Sequence, residues 1–400
     1  MTSNDWLQQI KDSFRQFGEA FEEVEDAELI PSFSPTSEEE YTPDPEQIDE
    51  DIRLNTSSTW VREAEAEYPK SFRKKFLNAQ GNFELVYFVD GSVRSVRALD
   101  GREGDFIFPI VIAQIGAVGI TRDEGARPIL AKNSKGQPIL ETDIVLLVPL
   151  SHLSDTLKKQ ILRRSMRSLK VIDPFDPNER ERDYAKLRSR AARRAKYLMT
   201  LTEKCAIEQC VELLSEEHQL VVLDGSLFTM LKEAQLSENK LQRVIGISKS
   251  FSMRPLILME KFLNRRDCLK QLVNLEEGER TGAIELHIDR DWVVTWYQRI
   301  RPPEQVESPL DGIVKVETHF LDYPACKSPN DQRRLDPKVK DWSAIWDAIA
   351  NIVYSERMPV PFHEERWHSL LYPIYCCEQL LKSSFLSIEV LRGLCAGITL

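Results

Sequence analysis

The sequence lacks an apolar run long enough to cross a membrane. Its longest uncharged apolar stretch, residues 106–120, is interrupted by Pro109, Gly116 and Gly119, whereas a membrane-spanning helix needs about 20 apolar residues. The chain also begins without a basic segment followed by an apolar one, which is the pattern of a secretory signal. We therefore expect a soluble, cytoplasmic protein with no membrane partner.

The sequence also lacks the cysteine spacing of a disulfide framework or a zinc ribbon. Its seven cysteines are scattered, odd in number and without a Cys-x-x-Cys pair. We interpret them as reduced packing residues.

Basic residues are absent from residues 16–52, which contain 14 acids. The net charge of −11 belongs mainly to this segment, because the rest of the chain carries 53 basic and 50 acidic residues. Prolines and acidic clusters favour a solvated linker. We predict three regions: an amphipathic helix at 1–22, a disordered acidic linker at 23–59, and a folded domain at 60–400 with a basic helical excursion at 151–214.

The amino-terminal helix carries an apolar stripe at spacings of three and four residues, formed by Trp6, Ile10, Phe14, Phe17 and Phe21. Two interpretations stay open. The stripe packs on its own domain, or it docks on a partner or second subunit.

Two apolar runs end in the same three residues, Asp90-Gly91-Ser92 and Asp224-Gly225-Ser226. We interpret both runs as strands with an acid at the carboxyl end. A buried strand rarely ends in an unpaired carboxylate, because desolvating that charge is costly. If the strands are neighbours, Asp90 and Asp224 form a paired-carboxylate site for a divalent metal.

The order of elements predicts the fold. Strands at 84–89, 93–99, 106–113 and 116–121 read as an antiparallel meander, followed by the helical excursion and the second acid-bearing strand. This order predicts an α/β fold, an RNase H-like mixed β-sheet flanked by helices, in which acids on adjacent central strands bind Mg²⁺ or Mn²⁺.

A third acid is expected from the helix before Asp224, where Glu203 and Glu208 are the candidates. At about 100° per residue, Glu203 lies within the apolar arc of the helix and Glu208 falls outside it. An acid on the buried face needs a partner, so we select Glu203. The alternative is that Glu203 lies at the edge of the arc and makes only a salt bridge.

These motifs together resemble the NurA nucleases, an RNase H-like family that acts with the HerA translocase ATPase at DNA ends. The resemblance covers about residues 85–380. Its main carriers are Val89-Asp90-Gly91-Ser92, the helix with Glu203, Leu223-Asp224-Gly225-Ser226-Leu227 and Gly246-Ile247-Ser248-Lys249-Ser250, with weaker echoes at 296–300, Val314-Lys315-Val316-Glu317 and Tyr372-Pro373.

The resemblance implies roles for these residues. Asp90, Glu203 and Asp224 would bind two Mn²⁺ or Mg²⁺ ions, Glu317 would be a further metal ligand, and Lys249 would contact the scissile phosphate or the attacking water. The alternative for Lys249 is that it is a solvent-exposed lysine in a turn. The alternative for Glu317 is that it only caps the end of its strand. The resemblance also implies a homodimer and a hexameric HerA-like ATPase partner.

The sequence departs from the family pattern after Tyr372-Pro373, where the family usually has a metal-binding His in its last helix. Here the helix continues with Ile374-Tyr375-Cys376-Cys377-Glu378-Gln379. Glu378 can replace the His, His363 or His368 can reach in from the preceding loop, or the second metal is lost.

Basic residues are concentrated just before the acid-bearing helix. Between residues 158 and 198 there are 14 Lys or Arg against five acids, a balance that favours sequence-independent DNA binding; a solvated helix face is the alternative. The candidate DNA-binding residues are Arg188, Arg190, Arg193, Arg194 and Lys196. The expected function is a metal-dependent DNA nuclease at DNA ends in double-strand-break repair, and the alternative is a non-catalytic NurA-like subunit that binds DNA and the ATPase.

Overall fold

A computed structural model describes residues 3–31, 59–64, 73–164, 169–175, 182–232, 234–259, 265–289, 291–325, 341–359 and 367–396. They form a large mixed sheet flanked by helices, which confirms the α/β class. The helices are α1 (Ser3–Glu22), α2 (Asp155–Arg164), α3 (Tyr184–Glu212), α4 (Leu227–Lys232), α5 (Glu238–Leu241), α6 (Arg254–Met259), α7 (Arg265–Val273), α8 (Trp342–Ser355), α9 (Tyr372–Ser384) and α10 (Ile388–Ala396). The strands are β1 (Ala27–Pro31), β2 (Thr59–Glu63), β3 (Arg73–Lys75), β4 (Glu84–Glu103), β5 (Phe106–Arg122), β6 (Pro128–Leu130), β7 (Leu140–Leu147), β8 (Lys170–Ile172), β9 (Gln219–Asp224), β10 (Val244–Ser248), β11 (Glu279–Thr281), β12 (Ile284–Ile288), β13 (Asp291–Arg299) and β14 (Ile313–Thr318).

The main path of the sheet runs in the order β2-β12-β13-β14-β10-β9-β4-β5-β7-β8. Strand β9 lies between β4 and β10 and is parallel to both. Strands β4, β5 and β7 pair antiparallel, so this region is an antiparallel meander, but the four strands predicted between residues 84 and 121 are two long strands, β4 and β5. The second acid-bearing strand is thereby inserted beside the first.

Strand β4 does not end at Asp90, so the prediction of a break there is wrong. Strand β5 provides a partner for each residue of the motif: Asp90 pairs with Val118, Gly91 with Ala117 and Ser92 with Gly116. The continuous partner keeps Asp-Gly-Ser extended, although this tripeptide is typical of turns. The two strands predicted within residues 106–121 are likewise one strand, β5.

The amino-terminal helix packs against its own domain. Phe14, Phe17 and Phe21 are buried in a cluster with Phe108 and Ile110 of β5, where each buried Phe contributes about 1.5–3 kcal/mol by the area it removes from water. The side chain of Trp6 lies outside the described residues. For the described part of the stripe, this packing decides between the two interpretations that the sequence left open.

The predicted disordered linker at 23–59 is wrong at its start. Residues Ala27–Pro31 form β1, which pairs antiparallel with the end of β4. The helix brings this segment to an edge of β4 that β9 leaves free, so backbone pairing outweighs its acidic composition. Residues 32–58 lie outside the described residues.

Helices cover both faces of the sheet. On β5, Ile110 and Ile112 face α1, whereas the alternate residues Val111 and Ala113 pack against α3. In the central strands, α8 and α9 cover the same face as α1, with Phe88 and Val222 among their contacts. Among the described residues, no helix is long and apolar enough to cross a membrane.

The predicted helical excursion at 151–214 is helical only in part. Between α2 and α3 the short strand β8 pairs parallel with β7 and extends the sheet. Helix α10 closes the described chain.

Candidate metal centre

The two acids of the repeated motif lie at matching positions on neighbouring strands. In the parallel pair β4–β9, Phe88 is paired with Val222 and Val89 with Leu223. Asp90 and Asp224 are the next residues on each strand, and Asp90 is only 6% exposed. The expectation that the two strands are neighbours is confirmed.

Two glycines shape the turn that follows Asp224. Gly225 has a φ of 141°, which L side chains rarely adopt, and its N–H donates to the Ile247 carbonyl at 2.8 Å. Gly246 passes directly beneath the turn, because a Cβ built there would lie 2.6 Å from Leu227 N and 2.8 Å from Gly225 O. The chain can therefore leave β9 at Asp224 and begin α4 at once.

Glu317 anchors this turn. Its Oε2 accepts hydrogen bonds from Ser226 Oγ at 2.9 Å and from Phe228 N at 3.2 Å, and its Oε1 is 2.9 Å from Lys315 Nζ. Glu317 is paired with Gly246, whereas Asp224 is paired with Ile247, so the two acids face opposite sides of the sheet. This geometry supports an anchoring role for Glu317 in place of the predicted metal-ligand role.

Lys249 neutralises Asp224. Its Nζ lies 2.7 Å from Asp224 Oδ2, and both side chains are 14% exposed. Burial alone would lower the pKa of Lys249, but the carboxylates of Asp224, Asp90 and Glu378 outweigh it and raise the pKa above the ordinary value of 10.5. Lys249 is therefore a buried ammonium group in the cluster, and not an exposed turn lysine.

Helix α9 borders the cluster on the face of Asp90. Cys377 is buried and its Sγ donates to the Phe88 carbonyl at 3.5 Å. Its pKa is raised well above 9.0, first by burial and then by the charges of Asp90 and Asp224. The next residue, Glu378, is within electrostatic reach of Lys249 and forms an ion pair with Lys382 at 2.8 Å.

Of the two candidate ligands near the carboxyl end that the structure describes, Glu378 and His368, only Glu378 is within electrostatic reach of Lys249 in the cluster. His363 lies outside the described residues. His368 accepts from Gly312 N at 3.3 Å and lies 3.6 Å from Asp311, contacts that belong to the loop before β14.

Glu203 is buried as predicted, at 5% exposure, whereas Glu208 is half-buried and pairs with Lys240 at 3.5 Å. A Cβ on Gly91 would lie 2.4 Å from Glu203 Cγ and 2.5 Å from Cδ, so Glu203 is pressed against the residue next to Asp90. Gly91 faces α3 and Asp90 faces α9, because they alternate along β4. Glu203 thus reaches the same stretch of β4 as Asp90, but from the other side.

The donor chemistry of the cluster fits a hard divalent cation, although the ligands are not gathered around one point. Among the described residues, no group of three His, Cys, Asp or Glu side chains is placed to hold a metal ion. Asp90, Asp224 and Glu378 nevertheless all act on one ammonium group, and carboxylate oxygens are the ligands that Mg²⁺ and Mn²⁺ prefer.

The predicted DNA-binding residues lie on α3, upstream of Glu203 on the same helix. Arg190 and Arg193 are exposed, and Arg188, Arg194 and Lys196 are half-buried. Arg194 stacks over the Tyr197 ring, with its Cζ 5.0 Å from the ring centroid. The buried stripe of α3 packs on the sheet, so its two exposed arginines point away from the face that holds Asp90.

Comparison with known proteins found no match: neither a family model nor a curated protein matches the chain.

Proposed function

We propose that this protein is a metal-dependent DNA nuclease of the NurA type with an RNase H-like sheet. The observation that carries the proposal is the matched position of Asp90 and Asp224 on the adjacent parallel strands β4 and β9. In the proposal the protein hydrolyses phosphodiester bonds at DNA ends in double-strand-break repair, acts as a homodimer and works with a HerA-like hexameric ATPase.

Asp90 and Asp224 would hold the cation, Mn²⁺ or Mg²⁺, with Glu378 available from α9. Glu203 approaches β4 from the opposite face, beside Gly91. When bound, such a cation lowers the pKa of water and neutralises charge on a phosphoryl oxygen. Lys249 supplies the positive charge that the protein itself brings to a phosphate. Gly225 adds no side chain beside Asp224, which leaves room for a nucleic-acid backbone to approach.

The basic residues of α3 would hold nucleic acid away from the cluster and on the other face of the sheet. A DNA strand that contacts both Arg193 and Asp90 must therefore pass from one face of the sheet to the other. This path suits a single strand or a frayed end better than a straight duplex, because duplex DNA is stiff over roughly 150 base pairs.

The test is degradation of linear DNA in the presence of Mn²⁺, with wild type compared with Asp90→Asn and Asp224→Asn. Each variant should lose activity by about 100-fold or more, because a carboxamide is a far weaker ligand for a hard cation. Glu208→Gln is the matched control, since Glu208 lies on α3 but pairs with Lys240. Equal activity in the wild type and both Asn variants would rule out this site.

A non-catalytic DNA- and ATPase-binding subunit is the second candidate. The ion pair between Lys249 and Asp224 favours it, because an ammonium already neutralises one of the two acids. Wild-type protein that binds DNA and the translocase but cuts no DNA in their joint presence would support this candidate against the nuclease.

A further inference from the structure

The ammonium group of Lys249 is paired with Asp224, whose carboxylate a divalent cation would need. Lys249 directly follows Ser248, the last residue of β10, and Ile247 of that strand pairs with Asp224. The 2.7 Å separation between Lys249 Nζ and Asp224 Oδ2 is that of a strong charge-assisted hydrogen bond. With each side chain 14% exposed, water screens this pair poorly.

An ammonium and a divalent cation compete for Asp224. A metal–oxygen bond of about 2.0–2.6 Å to either carboxylate oxygen would bring the cation within a few ångströms of Nζ, and like charges at that distance repel strongly where water is scarce. This repulsion favours departure of the ammonium from Asp224 when the cation binds.

We propose that Lys249 is an intramolecular competitor for the metal: its ammonium holds Asp224 in the metal-free protein and leaves that carboxylate when the cation binds. The proposal rests on the proposed metal site. Once released, Lys249 remains tethered at the end of β10, where its ammonium is free to meet a phosphate. Cation binding and phosphate binding are thereby coupled through one side chain.

The first test is calorimetric titration with Mn²⁺ of wild type, Lys249→Gln and Lys240→Gln. Lys249→Gln keeps an N–H donor for Asp224 but removes the charge, so Mn²⁺ should bind about tenfold tighter or more. Lys240→Gln removes an ammonium that pairs with Glu208 at 3.5 Å and Glu212 at 3.1 Å, outside the cluster, so the affinity should change by less than about twofold. Circular dichroism establishes that each variant is folded.

The second test needs no substitution at Lys249. Wild-type protein is acetylated with an amine-reactive ester with and without saturating Mn²⁺, and peptide mass spectrometry measures the labelled fraction at Lys249, with Lys240 as the internal reference because its partners Glu208 and Glu212 lie outside the cluster. Displacement predicts that Mn²⁺ increases labelling at Lys249 relative to Lys240.

Two kinds of failure can be told apart. If the wild type binds Mn²⁺ at a site that Asp224→Asn abolishes, but Lys249→Gln binds it no more tightly and labelling is unchanged, the competitor proposal is wrong and the metal site stands. If neither wild type nor Lys249→Gln binds Mn²⁺, or Asp224→Asn binds it equally well, the metal site itself is wrong and the competitor proposal falls with it.

Discussion

Replacing Gly91 by alanine tests whether α3 is seated on β4 as the structure has it. The backbone at Gly91 is ordinary extended strand, so a Cβ costs nothing in backbone strain, and in an uncrowded strand the change would stabilise the protein by about 0.4–1 kcal/mol. Here the Cβ would lie 2.4 Å from both Glu203 Cγ and Met199 Sδ, well inside van der Waals contact. Overpacking of this kind costs about 1–3 kcal/mol, so Gly91→Ala should lower the free energy of unfolding.

The assay is urea denaturation followed by circular dichroism, with Gly393→Ala as the control. Gly393 lies in α10, and among the described residues beyond its own helix turn no atom lies within 4 Å of its would-be Cβ, so alanine there should stabilise the protein by up to about 1 kcal/mol. Glu203→Ala removes Cγ and Cδ, so Gly91→Ala should cost about 1 kcal/mol less in that background. A Gly91→Ala protein as stable as wild type, or strict additivity with Glu203→Ala, would refute the seating of α3.

Three further predictions concern other parts of the fold. Glu317→Gln should lower the free energy of unfolding by about 3–5 kcal/mol in urea denaturation, because Lys315 is fully buried and loses its counter-charge; replacing Lys315 by Met in the same protein should recover part of the loss. Phe17→Ala should cost about 3–5 kcal/mol and speed proteolysis between α1 and β1, since Phe17 is fully buried. Burial raises the pKa of Cys210 from 9.0 to about 12, so the native thiol keeps its proton where the unfolded chain loses it. The free energy of unfolding is therefore unaffected by this thiol below pH about 9 and falls by roughly 4 kcal/mol as the pH rises towards about 12. Cys210→Ala should remove this fall from the pH profile of the unfolding free energy.

These three predictions have clear counter-results. A Glu317→Gln protein of wild-type stability would show that Lys315 is not held by this carboxylate. Unchanged proteolysis in Phe17→Ala would show that α1 does not depend on its aromatic stripe. Identical alkaline stability profiles for wild type and Cys210→Ala would show that the thiol is not buried.

The sequence predicted the strands of the candidate site better than it predicted their ends. The apolar runs before Asp90 and Asp224 determine two strands, and helical phase correctly selected Glu203 over Glu208 as the buried acid. Whether a strand stops at Asp-Gly-Ser depends on its neighbour. Strand β5 runs beside β4 past Asp90 and keeps β4 extended, whereas β9 ends at Asp224. Local sequence carries no information about such a neighbour.

Charge interactions that depend on tertiary packing also could not be predicted from the sequence. Lys315 and Glu317 are two residues apart and therefore lie on one face of β14, a spacing that would have predicted an ion pair. Their burial, however, depends on α4 and the turn after Asp224. The role of Glu378 depends on the position of α9 over β4, which joins residues almost 290 positions apart, as in the contact of Cys377 with Phe88. Composition likewise favoured disorder at Ala27–Pro31, where tertiary pairing with β4 decides the outcome.

The 20 residues of β4 connect the candidate metal centre to the region packed under the amino-terminal helix. At about 3.3 Å per residue the strand has a contour of roughly 65 Å, and its amides are paired with β9 at one end and with β1 at the other. Strand β5 pairs with β4 on both sides of a bulge between Arg97 and Leu99, and amides of one cooperative unit open together in hydrogen exchange. A ligand that holds Asp90 should therefore slow exchange at Leu99–Glu103, beneath the amino-terminal helix, although those residues lie far along the strand from the site.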